Sequence, residues 1–379
     1  MRDWTAQPDS NPALDQHFMD LALSLGRTNL GQTWPNPSVG AVVVKNGIVV
    51  GQGATGTGGR PHAEAIAIGQ AGLDAVGATL YVTLEPCSHR SLRGGKPCLE
   101  HTILSGIRRV VSALKDPNPH ISGVSHALLR SSGVKVTVGV GAEQARRDHL
   151  GHILRVQQGR PLVTLKLAQT ADGYCAPAGG GRMQISGDMA MREVHQLRAC
   201  HETIMVGVGT VLSDDPQLNV RLPGLEQRSP IRVILDSQLR IPLSSKLVQD
   251  APLKPLWIIT AEDAPVSAEH ALELTGAKVM RVGRGNDGML DLAEALQALS
   301  LRGVTRIFSE GGPIVGEALA KSSLADVIII STADHSLNAD GVIALRPGLA
   351  KALEDPMQYQ SVETRRLDTD VFKIYEKVI

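Results

Sequence analysis

Aromatic residues are scarce in this 379-residue chain, at 3%, which leaves few rings on which unpaired bases could stack. Charge of one sign is not in excess either: 38 Lys and Arg face 38 Asp and Glu, a formal net charge of zero. Nothing is left over to neutralise the phosphates of a polymer, so a nucleic-acid substrate ranks behind a small molecule. Long apolar runs are missing. The longest, such as Asp326-Val-Ile-Ile-Ile330, are strand-sized, far short of the ~20 residues that cross a bilayer. No membrane partner is expected. The N-terminus, Met1-Arg-Asp-Trp-Thr5, lacks the apolar centre of a secretion signal, which points to the cytoplasm. Cysteines number four, Cys87, Cys98, Cys175 and Cys200. In a cytosolic chain they read as thiols or metal ligands, not as a disulfide framework.

What is present fits a globular enzyme: 42% hydrophobic and 20% charged residues. The length calls for two domains of ~150–200 residues. Leu14, Phe18, Leu21 and Leu25 fall at helical spacing on one face. Val39–Lys45 and Ile48–Gln52 are β-rich runs joined by Asn46-Gly47, a strong hairpin signal because both turn residues tolerate positive φ. A helix from about His62 to Ala71 follows, then a buried strand Leu80–Leu84, a helix Cys98–Leu104, strands Arg109–Leu114 and Val134–Val138, and a helix around Ser125–Arg130 between them. Strands alternating with helices predict a three-layer α/β/α domain. A last helix, Glu143 to about Gln157, stops at Gly159-Arg160-Pro161, which places the boundary: domains 1–159 and 160–379. Strands begin again at Leu162–Leu167 and recur at Thr203–Val206, Ile231–Leu235, Leu256–Thr260, Lys278–Val282, Arg306–Phe308 and Val327–Ile330. Helices Met189–Cys200 and Leu292–Leu299 fall among them, so the second half is an α/β domain of its own.

The sharpest constellation is Pro61-His62-Ala63-Glu64, with Glu85-Pro86-Cys87 and Pro97-Cys98 downstream. One His and two Cys make a three-ligand site suited to one Zn²⁺ per chain, with a fourth position for water. Both feeding loops are expected where a strand hands over to a helix, with Pro86 at a helix start, where a thiolate is favoured. Glu64 stands two residues from His62, the wrong offset for a second ligand on one helical stripe. It suits a proton shuttle, taking a proton from water and returning it to a ring nitrogen and then to the departing amine. Zinc would lower the pKa of that water from 15.7 toward ~7. This H-x-E…P-C arrangement is the known signature of zinc nucleobase deaminases. His89, His101, His120 and His126 lack such context and read as surface or core residues.

Trp34-Pro-Asn-Pro-Ser-Val-Gly40, Pro61–Glu64, Tyr81-Val-Thr-Leu-Glu-Pro-Cys-Ser-His89 and Lys115-Asp-Pro-Asn-Pro119 resemble the deaminase half of the bifunctional riboflavin-biosynthesis deaminase/reductase family. Leu165-Lys-Leu-Ala-Gln-Thr-Ala-Asp-Gly173, Leu197-Arg198, Gly209–Arg221, Val233-Ile-Leu-Asp-Ser237 and Glu310-Gly-Gly-Pro313 are similar to its reductase half. The resemblance implies a cytidine-deaminase-like first domain and a dihydrofolate-reductase-like α/β second domain. It implies a small pyrimidine nucleotide as substrate: a diamino-pyrimidinone carrying a ribosylamino 5′-phosphate is deaminated, and the ribose of the product is then reduced with NADPH. It also implies that His62, Cys87 and Cys98 bind zinc and Glu64 moves the proton. Ala168, Thr210, Asp214, Ser237 and the run Gly312, Pro313, Ile314, Val315, Gly316, Glu317 and Ala318 would lie at the cofactor. Arg198, Leu218, Arg221 and Glu310 would contact substrate.

A Gly-Gly turn before a helix lets backbone approach a pyrophosphate, and Arg198 and Arg221 offer forked donors to a phosphate. Two departures stand out. Ten residues separate Cys87 from Cys98, two more than is usual in the family, in a Gly-Gly loop. Arg182-Met183-Gln184 replaces a stretch that often begins with Ser and ends with Trp; Arg182 can still bind phosphate, but Gln184 offers no aromatic surface. A homo-oligomer is expected. Two rival readings stay open: a deaminase acting on tRNA, single strands or another nucleotide with an attached binding module, and a non-catalytic ligand-binding protein whose second domain only senses NADPH or the pyrimidine.

Overall fold

A computed structural model describes residues 11–88, 96–179 and 183–378. His89 and Arg182 lie outside them. The chain divides into two compact units, Met1–Gln158 and Gly159–Ile379. No helix among the described residues is long and apolar enough to cross a membrane.

The first unit is built on β1 (Gly40–Lys45), β2 (Ile48–Ala54), β3 (Thr79–Val82), β4 (Arg109–Ser112) and β5 (Lys135–Val138), in the order β2-β1-β3-β4-β5. The β1–β2 hairpin and the β1–β3 pair are antiparallel, and β3, β4 and β5 run parallel. Asn46 and Gly47 take φ of 51° and 80°, so the two-residue turn has the form its sequence predicts. A Cβ on Gly40 would sit 1.8 Å from the Ala22 carbonyl oxygen of the helix Pro12–Thr28. Gly51 and Gly53 of β2 abut the helix Ala63–Ala71 instead. Gly53 pairs with Ala41, the neighbour of Gly40, and neighbours on a strand face opposite ways. Helices therefore cover both faces.

The first helix turns most of the predicted face inward, with Leu21 and Leu25 half-buried against the core. Phe18 is inside as expected, but Leu14 is 48% exposed and Asp15 is buried. Asn11 caps this helix, accepting from the backbone N–H groups of Ala13 and Leu14. Asp15 is drawn inward because Arg109 grips both its oxygens, at 2.8 and 2.7 Å, and the Tyr81 hydroxyl donates to it at 2.8 Å.

In the second unit the strands are β6 (Leu162–Gln169), β7 (Tyr174–Pro177), β8 (Thr203–Gly207), β9 (Ile231–Leu235), β10 (Leu256–Ala261), β11 (Lys278–Val282), β12 (Arg306–Ser309), β13 (Val327–Thr332), β14 (Gly341–Ile343), β15 (Tyr359–Leu367) and β16 (Asp370–Lys377). Nine form one sheet in the order β11-β10-β9-β8-β12-β6-β13-β16-β15. From β11 across to β13 every pairing is parallel; β16 and β15 close the edge antiparallel. The parallel strands are near-continuous apolar runs because both faces are covered. Sequence reading missed β15, whose residues after Tyr359 are mostly exposed and polar, as befits an edge. β7 and β14 form a separate two-stranded ribbon.

Candidate functional site

His62 caps the helix Ala63–Ala71, with extended backbone (φ −70°, ψ 152°), and Glu64 follows in its first turn. Cys87 lies in the loop after β3. Cys98 is the first residue of the helix Cys98–Leu104, capped by Pro97. No helix starts at Pro86 among the described residues, which corrects that expectation. The helix start that favours a thiolate comes from the next element: the backbone N–H of Cys98 donates to the Cys87 sulfur at 3.3 Å. The Leu99 N–H also holds the Cys87 carbonyl, at 3.1 Å.

His62 Nδ1 stands 3.2 Å from the Cys98 sulfur and 3.6 Å from that of Cys87. The three donor atoms lie within 4.8 Å of one another, and no other such cluster occurs among the described residues. Tetrahedral zinc with bonds of ~2.3 Å to sulfur and ~2.0–2.1 Å to nitrogen would set its donors about 3.6–3.8 Å apart. The donor set fits. The Cys87 thiol is pulled down to about 4, chiefly by its hydrogen bond with Cys98, while that same bond, and then burial, push the Cys98 thiol up. A cation held between them would draw the proton from Cys98 as well, since a coordinating thiol is deprotonated by the ion's own charge. Glu64 is buried, and its carboxyl is raised to about 7, first by burial and then by the charge of Cys87. A base near neutrality beside the metal position is poised to take and return a proton. The histidines set aside on sequence fall as follows: His126 is buried, His120 exposed and His101 half-buried.

In the second unit a cavity of about 1540 Å³ opens at the C-terminal ends of β6, β8, β9 and β12, the usual place for a ligand in a parallel sheet. Ala168, Thr210, Asp214, Ser237, Gly312, Pro313, Ile314, Val315 and Ala318 line it, as do Arg198, Leu218, Arg221 and Glu310. Gly316 and Glu317 do not. Gly316 backs onto Leu165 and Leu167 of the sheet, and Glu317 turns to Arg346, Lys321 and the Gly348 N–H. One helical turn cannot point every residue at the same ligand. Gly312 has φ of 72°, left-handed backbone that favours glycine, and Thr210 approaches where its Cβ would be. Thr210 and Asp214 belong to the short helix Val208–Asp214, a stretch that without the family reads only as loop.

Arg198 is turned inward. Its Nε and one Nη grip Glu310 at 3.1 and 2.7 Å, and its other Nη donates to the Asn219 carbonyl at 2.9 Å. Burial raises the Glu310 carboxyl, but Arg198 more than offsets this and holds it below its ordinary range. Arg221 is the exposed one; its Nη donates to the Asn219 side chain at 2.8 Å, and its N–H to His195. Sequence reasoning missed Lys166, Arg240, Lys246 and Lys321, which also line the cavity. Lys166 carried a signal, a lysine inside the apolar run of β6; burial pushes its ammonium down.

Two family models match. Residues 12–114 match the cytidine and deoxycytidylate deaminase zinc-binding region, and residues 161–372 match the RibD C-terminal domain. The riboflavin biosynthesis protein RibD of Aquifex aeolicus is 37% identical, over 96% of this chain and 99% of that protein. That of Escherichia coli is 36% identical, over 94% and 98%. The chain belongs to the RibD family. Acinetobacter baumannii RibD superposes with a TM-score of 0.86 at 30% identity, covering 97% of this chain and 100% of that one. A diaminohydroxyphosphoribosylaminopyrimidine deaminase/5-amino-6-(5-phosphoribosylamino)uracil reductase from Thermotoga maritima superposes at 0.82, also at 30% identity, covering 97% and 99%. As a RibD family member the chain is a riboflavin-biosynthesis enzyme with deaminase and reductase activities, and its first half carries a zinc-binding deaminase region. Both α/β expectations hold, a cytidine-deaminase-like unit followed by a reductase unit.

Proposed function

We propose that residues 1–159 hydrolytically deaminate 2,5-diamino-6-ribosylamino-4(3H)-pyrimidinone 5′-phosphate and that residues 160–379 reduce the ribosyl chain with NADPH, giving 5-amino-6-(5-phosphoribitylamino)uracil. The observation that carries this is the His62, Cys87 and Cys98 cluster beside buried Glu64 in one unit, joined in the same chain to the glycine-floored cavity of the other. His62, Cys87 and Cys98 would hold zinc, which when bound supplies an acidified water. Glu64 takes one proton from the attacking water and gives it to the ring nitrogen, then takes the second from the new hydroxyl on the ring carbon and gives it to the amino group, which leaves as ammonia.

In the cavity NADPH would supply the hydride. The Gly311-Gly312 turn and the helix Gly312–Lys321 suit its pyrophosphate, with Ala168, Thr210, Asp214, Ser237, Pro313, Ile314, Val315 and Ala318 around it. Arg221, at the exposed rim, anchors the sugar phosphate. Arg198 orients Glu310 toward the ribityl carbons, and Leu218 packs beside them. This reading includes Arg182 as a further phosphate contact, a homo-oligomer and a cytoplasmic setting. Incubating the chain with the diamino nucleotide tests it: ammonia should appear without NADPH, and the ribityl product only with it. Ammonia without any ribityl product would favour a second unit that only senses its ligands.

A further inference from the structure

Glu85 is a buried carboxylate that the deamination chemistry does not use. Its Oε2 accepts from the backbone N–H groups of Asp116 at 3.0 Å and Gly123 at 2.8 Å, and its Oε1 from those of Ser125 at 2.9 Å and His126 at 3.3 Å. Four donors from one segment converge on one side chain, and Gly123, with φ of 79°, is the left-handed residue that turns that segment into the helix Val124–Ser131. Both ends of the loop Asp116–Ser122 are thereby pinned to Glu85. Within the loop, Asn118 N–H donates to the Asp116 carboxylate at 2.8 Å and His120 N–H to the Asn118 side chain at 3.1 Å, so the pinned segment is internally braced.

Its location gives the tie a purpose. Glu85 is followed by Pro86 and Cys87, on the chain leaving β3, and the loop leaves β4, the parallel neighbour of β3. Both segments emerge at the C-terminal edge of the sheet, where ligands of parallel sheets bind. One carboxylate thus fixes the loop bearing a zinc ligand against the loop beside it.

We propose that Glu85 is a positioning residue for deamination, clamping the loop Asp116–Ser122 as a wall of the pocket next to the metal cluster so that the nucleotide is held in register. This rests on the deaminase reading above. A wall acts through substrate placement, so its loosening appears in KM, whereas a purely structural role reduces the fraction of folded, zinc-loaded chains and leaves KM alone.

The test follows ammonia release from the diamino nucleotide by the full chain, with kcat expressed per bound zinc. E85Q should raise KM by about tenfold while kcat per zinc stays within about threefold of wild type. G123A leaves Glu85 in place but strains the donor segment, and should move KM in the same direction. It decides the matter if E85Q does not fold. Wild-type KM in a zinc-loaded variant, or a fall in kcat per zinc at unchanged KM, overturns the proposal. No ammonia from the wild type would overturn the substrate reading instead. Hydrogen exchange of the Asp116–Ser122 amides then still reads the clamp: faster exchange in E85Q supports it, and unchanged exchange refutes it.

Discussion

Arg198 lies fork-to-fork against Glu310, 2.7 Å from Nη to Oε2 and 3.1 Å from Nε to Oε1, across 112 residues of sequence. Both side chains border the cavity of the second unit, the proposed site of reduction. Glu310→Gln should leave Arg198 with an unmatched charge in a nearly dry site, losing ~1.5–3 kcal/mol and so roughly ten- to a hundredfold in kcat/KM for reduction. Ammonia release should not change. Equal loss in both activities would show that the pair supports the whole fold and not the reductase site.

Gly40 is where the helix Pro12–Thr28 meets the sheet. A methyl there would lie 1.8 Å from the Ala22 carbonyl oxygen and 2.7 Å from the Gly26 nitrogen, both rigid backbone. Gly40→Ala should therefore destabilise the first unit by about 3 kcal/mol. Thermal unfolding followed with zinc content should show the early loss of the deaminase unit, with NADPH oxidation persisting. A variant as stable as wild type would mean the helix can shift.

Acid sensitivity should reside in neutral buried histidines. His201, bonded to the Leu197 carbonyl and Thr164, is pushed down to about 3, first by burial and then by Arg306. Burial likewise pushes His195 and His152 down to about 4. The unfolded chain binds these protons near 6.5, the folded chain only at much lower pH. Their stability contribution is thus complete above about pH 6.5 and is lost progressively as pH falls toward 3–4. His201→Gln should lose less stability between roughly pH 7 and 5 than wild type does, by denaturant melts at each pH. Identical slopes would assign the sensitivity elsewhere.

Zinc should be held at about one ion per chain and lost in Cys87→Ser and Cys98→Ser, since thiolates set both affinity and geometry. Elemental analysis finding full zinc in both variants would contradict the ligand set.

Much of this was legible because the deciding residues act locally. Asn46-Gly47 fixes a turn through its own backbone freedom, and His62 and Glu64 are placed by the start of a single helix. What stayed hidden depends on distant partners. Nothing beside Asp15 announces that Arg109 and Tyr81 will draw it inside while Leu14 stays exposed. Sequence offers Arg198 to a phosphate; only the fold brings Glu310 to meet it. The helix Val208–Asp214 is too short to show a period, and β15, an exposed edge, shows no apolar alternation. Pro86 looked like a helix start, but the N–H that reaches Cys87 belongs to Cys98.

The central claim is that two separate chemistries sit on one chain, with Glu64 serving only the first. Glu64→Gln tests it most directly, with ammonia release, NADPH oxidation on the pre-deaminated nucleotide and zinc content measured on the same sample. The amide can neither take nor return a proton, so ammonia release should fall by several orders of magnitude. Zinc should stay near one per chain, and NADPH oxidation should match wild type. Ammonia release at the wild-type rate, or a collapse of NADPH oxidation alongside it, would contradict the account.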